Sequence, residues 1–294
     1  MSEVNPLAGL TVGFIGSGVM AEAIIAALLR QQVVESENVI ASDVQATRGA
    51  QLTAQYGIRS TTSNLEAVRA ANILILSIKP QVVDKVLAEL HGQTDHIPLI
   101  ISIIAGAPIQ RLADGLANPH IIRTMPNTPA QIGQGMTVWT AAGTVAEEER
   151  VRAGTILRSF GQDVYVDNES YLDMATAISG SGPAYVFLFM ESLVDVAVHI
   201  GFSRKVAEQL VYQTVRGSVE FAAASGDHLA ELRNQVTSPG GTTAEALHHF
   251  ESGGLRTTIA RGVWASYRRS VALGAGKPSK AATVRHPDDL SDSH

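Results

Sequence analysis

Two short segments hold the residue types from which a reaction could be built. The first is Gly16-Ser17-Gly18-Val19-Met20-Ala21, set directly after the apolar run 11–15 and opening the helical stretch 19–30. Gly16 permits a tight turn, Gly18 lets the backbone approach a pyrophosphate, and Ala21 allows close packing of helix on strand. The helix start at Val19 and Met20 then offers unpaired N–H groups to the phosphates. Glycine-rich turns also arise from packing alone, but a strand before and a helix after this hexad weight it toward nucleotide binding. The second segment is Val236-Thr237-Ser238-Pro239-Gly240-Gly241-Thr242-Thr243-Ala244-Glu245-Ala246-Leu247. Thr242-x-x-Glu245 has the form of a capping box and predicts a helix starting at Thr243. The Gly240-Gly241 step lets another group come close, so the N–H groups of that helix start can hold a substrate carboxylate while a Thr hydroxyl bonds a nitrogen on the same molecule. A well-capped turn between helices accounts for the segment equally well without a ligand.

Three other positions lie where a nucleotide-binding sheet would present them. Asp43 follows the second apolar run and stands 25 residues after Gly18, close to the spacing of the acid that accepts a bond from the ribose 2′-OH in NAD-binding folds. Its alternative is a helix cap or an exposed turn acid. Lys79, before Pro80, leaves the run 73–78 and could meet a cofactor phosphate or ribose, or could be a plain surface lysine. Asn127, in Met125-Pro126-Asn127-Thr128-Pro129, sits on a rigid loop near the same edge and could position a nicotinamide or substrate. His248 and His249 are helix neighbours facing different ways, and no pair has metal-ligand spacing, so no metal site is expected. Glu191 and Asp195 share a helix face and read as surface or interface acids.

The elements that must position these residues come in two blocks. From residue 10 to about 166, apolar runs at 11–15, Val39–Ser42, 73–78, 99–104 and 121–124 alternate with helical stretches at Val19–Arg30, 44–56, Asn64–Ala70, 80–90 and Ile109–Leu116. Near-continuous apolar strands separated by helices predict a doubly wound, parallel, Rossmann-like α/β sheet covered on both faces. After residue 167 only helical patterns remain, at 169–178, 183–200, 203–224, 228–235, 242–251 and 254–273, punctuated by Gly, Ser and Pro. The expected division is therefore a dinucleotide-binding domain at 1–167, an all-α substrate and dimerisation domain at 168–276, and a polar, disordered tail at 277–294. Several of the helices are apolar nearly all round, which predicts an obligate dimer interface.

Composition sets outer limits. The chain has 294 residues, 45% hydrophobic and 17% charged, with 26 Gly and no Cys. Without cysteine there is no disulfide, thiolate metal site or thiol nucleophile. A formal net charge of -6 gives no basic field for nucleic acid. The stretch 183–200 is shorter than the roughly 20 residues a membrane span needs, and Glu191 and Asp195 would each cost about 2.5–3.5 kcal/mol at bilayer depth. It is expected to be a buried helix. The first ten residues lack a basic cluster and do not read as a leader, so a cytoplasmic protein without membrane partners is expected.

Read together, VGFIGSGVMAEA, ILILSIKPQ, SIIAGAPI, IIRTMPNTPA, AISGSGPAYVF and above all VTSPGGTTAEALHHFESGGLR resemble the pyrroline-5-carboxylate reductase family from Val12 to about Arg269. The resemblance implies reduction of Δ1-pyrroline-5-carboxylate to L-proline with NADPH or NADH, the last step of proline biosynthesis. It also implies a homodimer through the helical domain, with a decamer of dimers as a larger assembly. Carried over residue by residue, the imine-contacting threonine falls on Thr243 and the substrate-carboxylate loop on Ser238, Gly240, Gly241 and Thr242. Cofactor contacts fall on Gly16, Ser17, Gly18, Asn64, Ser77, Ile78, Lys79, Pro80 and Ala105. A glutamate near the substrate in some members aligns with Glu169. At Asp43 the chain departs from the small hydroxyl residue or Asn-Arg pair common where NADPH is preferred, so NADH is expected to serve at least comparably. A β-hydroxyacid dehydrogenase relative would need a catalytic lysine in the helical half, where Lys205 stands outside any matching motif. A non-catalytic dinucleotide sensor would have no need for SPGGTT. The active site is expected in the cleft between the two domains.

Overall fold

The structure is a computed structural model that describes residues 5–274. The order of elements is β1 (Val12–Ile15), α1 (Val19–Arg30), β2 (Val39–Ser42), α2 (Ala46–Tyr56), β3 (Arg59–Thr61), α3 (Asn64–Ala70), β4 (Ile73–Leu76), α4 (Val83–Leu90), β5 (Leu99–Ser102), α5 (Ile109–Leu116), β6 (Ile121–Met125), β7 (Gly135–Ala141), α6 (Glu147–Arg158) and β8 (Gly161–Tyr165). Helices follow: α7 (Tyr171–Ala175), α8 (Gly182–His199), α9 (Arg204–Ser225), α10 (Leu229–Gln235), α11 (Thr242–Ser252) and α12 (Leu255–Gly274), with one π-helical turn at Thr176–Gly180. The expected disordered tail, 277–294, lies outside the described residues. Two compact units form: the first runs to Gly180 and takes up the chain again from Ser266, and the second is Ser181–Ala265. Thus α7 and its π-turn, which the composition shift at residue 168 groups with the helical half, pack with the first unit.

The first unit is built on one sheet of order β3-β2-β1-β4-β5-β6-β7-β8. Every residue of β1, β2, β4 and β5 is buried, as a strand covered on both faces requires. Alternate side chains feed two cores: Phe14 joins Ile24, Ile25 and Leu28 of α1, while its neighbour Ile15 joins Leu74, Leu87 and Leu112 on the other face. The strand order reverses between β1 and β4, and ligands of such sheets bind outside the carboxyl ends of the strands at that point.

Sequence pattern and structure part company on the sheet's far side. The sheet is mixed: β7 runs antiparallel to β6, then β8 returns parallel to β7. Three strands escaped the apolar-run reading, because β3 is short and half-exposed, while β7 and β8 interleave Thr, Gly, Gln and Asp with their apolar residues.

In the second unit α8 packs beside α9 over a small core of Val194, Ala207 and Val211. The expectation that 183–200 is a buried helix is corrected here. Val194 is the only α8 residue that is buried, while Val186, Phe187, Leu188 and Phe189 are 46–64% exposed. One neighbour covers one flank, and an apolar helix needs cover on more. By length and composition alone, Tyr171–His199 is apolar enough to cross a membrane.

Candidate active site

The glycine hexad lies at the carboxyl end of β1, at the switch point of the sheet. Gly16 has φ +93°, and a Cβ there would stand 2.8 Å from the Ser77 carbonyl oxygen, so only glycine fits. Its N–H donates to Ser42 O at 2.9 Å, and the Ser77 hydroxyl donates to its carbonyl at 2.7 Å. Gly18 is different. It is exposed with φ −66°, and a Cβ built on it meets nothing within 4 Å. The fold has no need of glycine at this place, whereas a ligand lying against the start of α1 does. That helix has no side-chain cap, so the N–H groups of its first turn are available to an anion. A dinucleotide phosphate fits this cradle.

Ser17, between the two glycines, is fully buried and held on every polar atom. Its N–H donates to Asp43 Oδ2 at 3.0 Å, its hydroxyl to Ser42 O at 3.2 Å, and its carbonyl accepts from Arg48 Nε at 2.7 Å. Asp43 also accepts the Gln45 N–H on Oδ1 at 2.9 Å, so both carboxylate oxygens serve the backbone at the entrance to α2. Arg48 passes on to Glu22 on α1 at 2.5 Å, and Glu22 accepts from the Tyr56 hydroxyl at 3.0 Å. The bond from Arg48, joined by that from Tyr56 and by the Arg48 charge, outweighs partial burial and holds the Glu22 carboxyl below its ordinary pKa. Burial first, then the bond and charge of Glu22, push the Tyr56 phenol up. The sequence offered one signal for this cluster, a cation in the first turn of the helix after β2.

Asn64 opens α3 beside the same strand ends, accepting from the Ser42 hydroxyl at 2.7 Å and donating to Glu89 at 2.9 Å. Ser77, Ile78, Lys79 and Pro80 form the exit from β4, where Lys79 is exposed and Pro80 starts a 3₁₀ turn into α4. Ala105 is on the loop after β5, next to Gly106, whose φ of +69° and 2.8 Å approach to Leu273 Cβ again demand glycine. Asn127 is a brace: its amide donates to Ser179 O at 3.0 Å and its oxygen accepts the Met136 N–H at 2.9 Å. Glu169 is also braced, with Oε1 accepting from Arg123 at 2.9 Å and from the Ile109 N–H at 2.8 Å. Arg123 is nearly buried and bonds Asp173 as well, which in turn accepts from Ser270 of α12.

In the second unit, Ser238-Pro239-Gly240-Gly241 forms a tight turn closed by Gly241 N–H to Ser238 O at 3.0 Å, with Pro239 in second place and Gly240 at φ +67°. The expected capping box does not form. Helix α11 begins one residue earlier, at Thr242, with Gly241 as its cap and no side-chain cap bond. Glu245 instead donates its N–H to Gly241 O and pairs through its side chain with His249 at 3.4 Å. The first-turn N–H groups of α11 therefore keep no side-chain acceptor, and the Thr242 and Thr243 hydroxyls have no partner among the described residues. Among the described residues, no group of three or more His, Asp or Glu side chains gathers as a metal site would need.

Two family models match separate parts of the chain. Residues 169–273 match the family described as pyrroline-5-carboxylate reductase dimerisation, and residues 11–106 the family described as NADP oxidoreductase coenzyme F420-dependent. A pyrroline-5-carboxylate reductase of Synechocystis sp. is 42% identical over 265 residues, covering 90% of this chain and 98% of the relative. Among solved structures, a Plasmodium falciparum pyrroline carboxylate reductase with NADP bound superposes with a TM-score of 0.83 at 31% identity, covering 90% of this chain and 98% of that one. A Coxiella burnetii pyrroline-5-carboxylate reductase gives 0.81 at 31% identity, covering 92% and 99%. With identity above 30% along nine-tenths of its length, the chain belongs to the pyrroline-5-carboxylate reductase family.

Proposed function

We propose that this chain reduces Δ1-pyrroline-5-carboxylate to L-proline with NADPH or NADH, the last step of proline biosynthesis. The observation that carries the reading is the uncapped start of α11, where the Thr243 hydroxyl and the N–H groups of the first helical turn all lack side-chain partners. A bound reduced nicotinamide supplies a hydride to the imine carbon, and a proton completes the amine, leaving oxidised cofactor and proline. Everything else is the work of the protein. The start of α11, with Ser238, Gly240, Gly241 and Thr242, holds the substrate carboxylate on backbone N–H groups. Thr243 donates a hydrogen bond from its hydroxyl to the imine nitrogen, raising the electrophilicity of the C=N carbon without itself titrating. Fixing the ring in one orientation supplies several kcal/mol of barrier reduction. Gly18, Val19 and Met20 face the pyrophosphate, Gly16 and Ser17 shape the loop behind them through their own bonds, and Asp43, Asn64, Ser77, Ile78, Lys79, Pro80 and Ala105 lie around the rest of the cofactor. Asn127 and Glu169 support the site through the braces they form.

The substrate and dimer-forming part is residues 168–276, and the uncovered apolar face of α8 is covered by the same face of a second copy, giving a homodimer in the cytoplasm. The functional reading is tested by following cofactor oxidation with pyrroline-5-carboxylate as the sole acceptor.

A further inference from the structure

Cofactor choice in Rossmann folds is decided at the ribose beyond β2, where an acid suits a free 2′-OH and an arginine suits a 2′-phosphate. This chain has both, along with a second acid. Asp43 looks from its position like the discriminating group, but both of its oxygens accept backbone N–H bonds, from Ser17 at 3.0 Å and Gln45 at 2.9 Å. Those donors partly offset its charge and fix it to the loop. Arg48 is the cation of the set. It is a long side chain, 24% exposed, anchored by Nε to the Ser17 carbonyl at the heart of the phosphate loop. One terminal nitrogen bonds Glu22, and the other, Nη1, has no acceptor among the described residues. A guanidinium so placed presents a fork to an oxyanion, the geometry by which arginine binds phosphate.

We propose that Arg48 is the 2′-phosphate ligand of this enzyme, and that Glu22 sets cofactor preference by competing with that phosphate for the guanidinium. The inference rests on the dinucleotide site proposed above. Glu22 holds Arg48 in the absence of a 2′-phosphate, so part of the attraction between Arg48 and NADPH is lost to breaking an existing ion pair. NADH carries no such cost. Asp43 acts through Ser17, on the loop and thus on both cofactors alike. Specificity at this ribose is therefore a difference between two anions sharing one arginine, with Tyr56 keeping Glu22 in place through its 3.0 Å bond.

Calorimetric titration with ADP and with 2′,5′-ADP tests this without substrate and without turnover. Arg48→Gln is expected to weaken 2′,5′-ADP about tenfold or more while shifting ADP by less than about threefold, in line with loss of one charge-assisted contact. Glu22→Gln is expected to strengthen 2′,5′-ADP by about fivefold with ADP nearly unchanged, because the competitor loses its charge. Arg48→Lys keeps the charge and loses the fork, so its 2′,5′-ADP affinity should fall between wild type and Arg48→Gln; it also serves if the glutamine variant does not fold. If both Arg48 substitutions leave 2′,5′-ADP affinity untouched, or weaken ADP as much as 2′,5′-ADP, Arg48 is not the ligand. Weakening by Arg48→Gln with no gain from Glu22→Gln overturns the competition. Failure of the wild-type protein to bind either nucleotide overturns the cofactor site itself, and this inference with it.

Discussion

The carboxylate of Asp43 accepts the backbone N–H of Ser17 at 3.0 Å, tying the turn after β2 to the middle of the loop after β1. With the Gln45 N–H on its other oxygen, Asp43 organises two strand exits at once. Asp43→Ala should therefore weaken ADP and 2′,5′-ADP by similar factors and lower stability by about 1–3 kcal/mol, the usual cost of leaving a buried donor, here the Ser17 N–H, without a partner. Parallel titration and thermal unfolding check it. Selective strengthening of 2′,5′-ADP alone would instead make Asp43 a discriminator of the ribose.

The two loop glycines should behave differently. Gly16→Ala forces a Cβ to within 2.8 Å of the Ser77 carbonyl oxygen at φ +93°, so it should destabilise the fold. Gly18→Ala places its Cβ in open space at φ −66°, so the melting temperature should hold while nucleotide affinity falls about tenfold or more. Melting curves and ADP titration on both variants separate the two effects.

Thr243→Ala should leave the fold and ADP binding intact and cut kcat/KM for pyrroline-5-carboxylate by about ten- to a thousandfold, as loss of one positioned donor does. Thr243→Ser, which keeps the hydroxyl, should recover most of it. Unchanged kcat/KM in the alanine variant removes Thr243 from the mechanism.

Stability should respond to acid through Glu22. Its folded pKa is lowered from 4.5, chiefly by the hydrogen bond from Arg48, so its contribution is present above the unfolded value and is lost as pH falls through the folded one. Denaturant unfolding of wild type and Glu22→Gln should thus show a difference at neutral pH that shrinks below about pH 4.5. A difference independent of pH would assign the effect to packing.

Phe187, 61% exposed, and Leu188, 64% exposed, lie on the uncovered face of α8. Phe187→Glu combined with Leu188→Glu should shift the sedimentation of the protein toward the monomer. An unchanged assembly would place the interface elsewhere.

Where one local rule sufficed, the sequence already showed the structure. Helices Val19–Arg30, Asn64–Ala70 and Ile109–Leu116 match their apolar spacing and boundary residues to the residue, and the central strands are the apolar runs themselves. The hexad after β1 and the SPGGTT segment were legible because glycine has few reasons to recur in such strings. What escaped depends on distant pairing. Strand β7 is set by its partners β6 and β8, since Gly-Met-Thr-Val-Trp-Thr-Ala has no continuous apolar run. The Arg48–Glu22–Tyr56 cluster joins residues 26 and 34 positions apart through side chains alone. The capping box was a sound local pattern, but Gly241 took the cap position with its backbone, and His249 drew off the glutamate. For Asp43 the position was right while its surroundings, invisible in one dimension, turned both oxygens to the backbone.

Hydride transfer to a cyclic imine is tested by mixing the purified chain with pyrroline-5-carboxylate and NADPH or NADH while following absorbance at about 340 nm, the band of the reduced cofactor. Cofactor oxidation in one-to-one proportion with L-proline formed, with at least one of the two cofactors, is the expected result. A chain that binds ADP yet oxidises neither cofactor with this imine, or does so without forming proline, would contradict it.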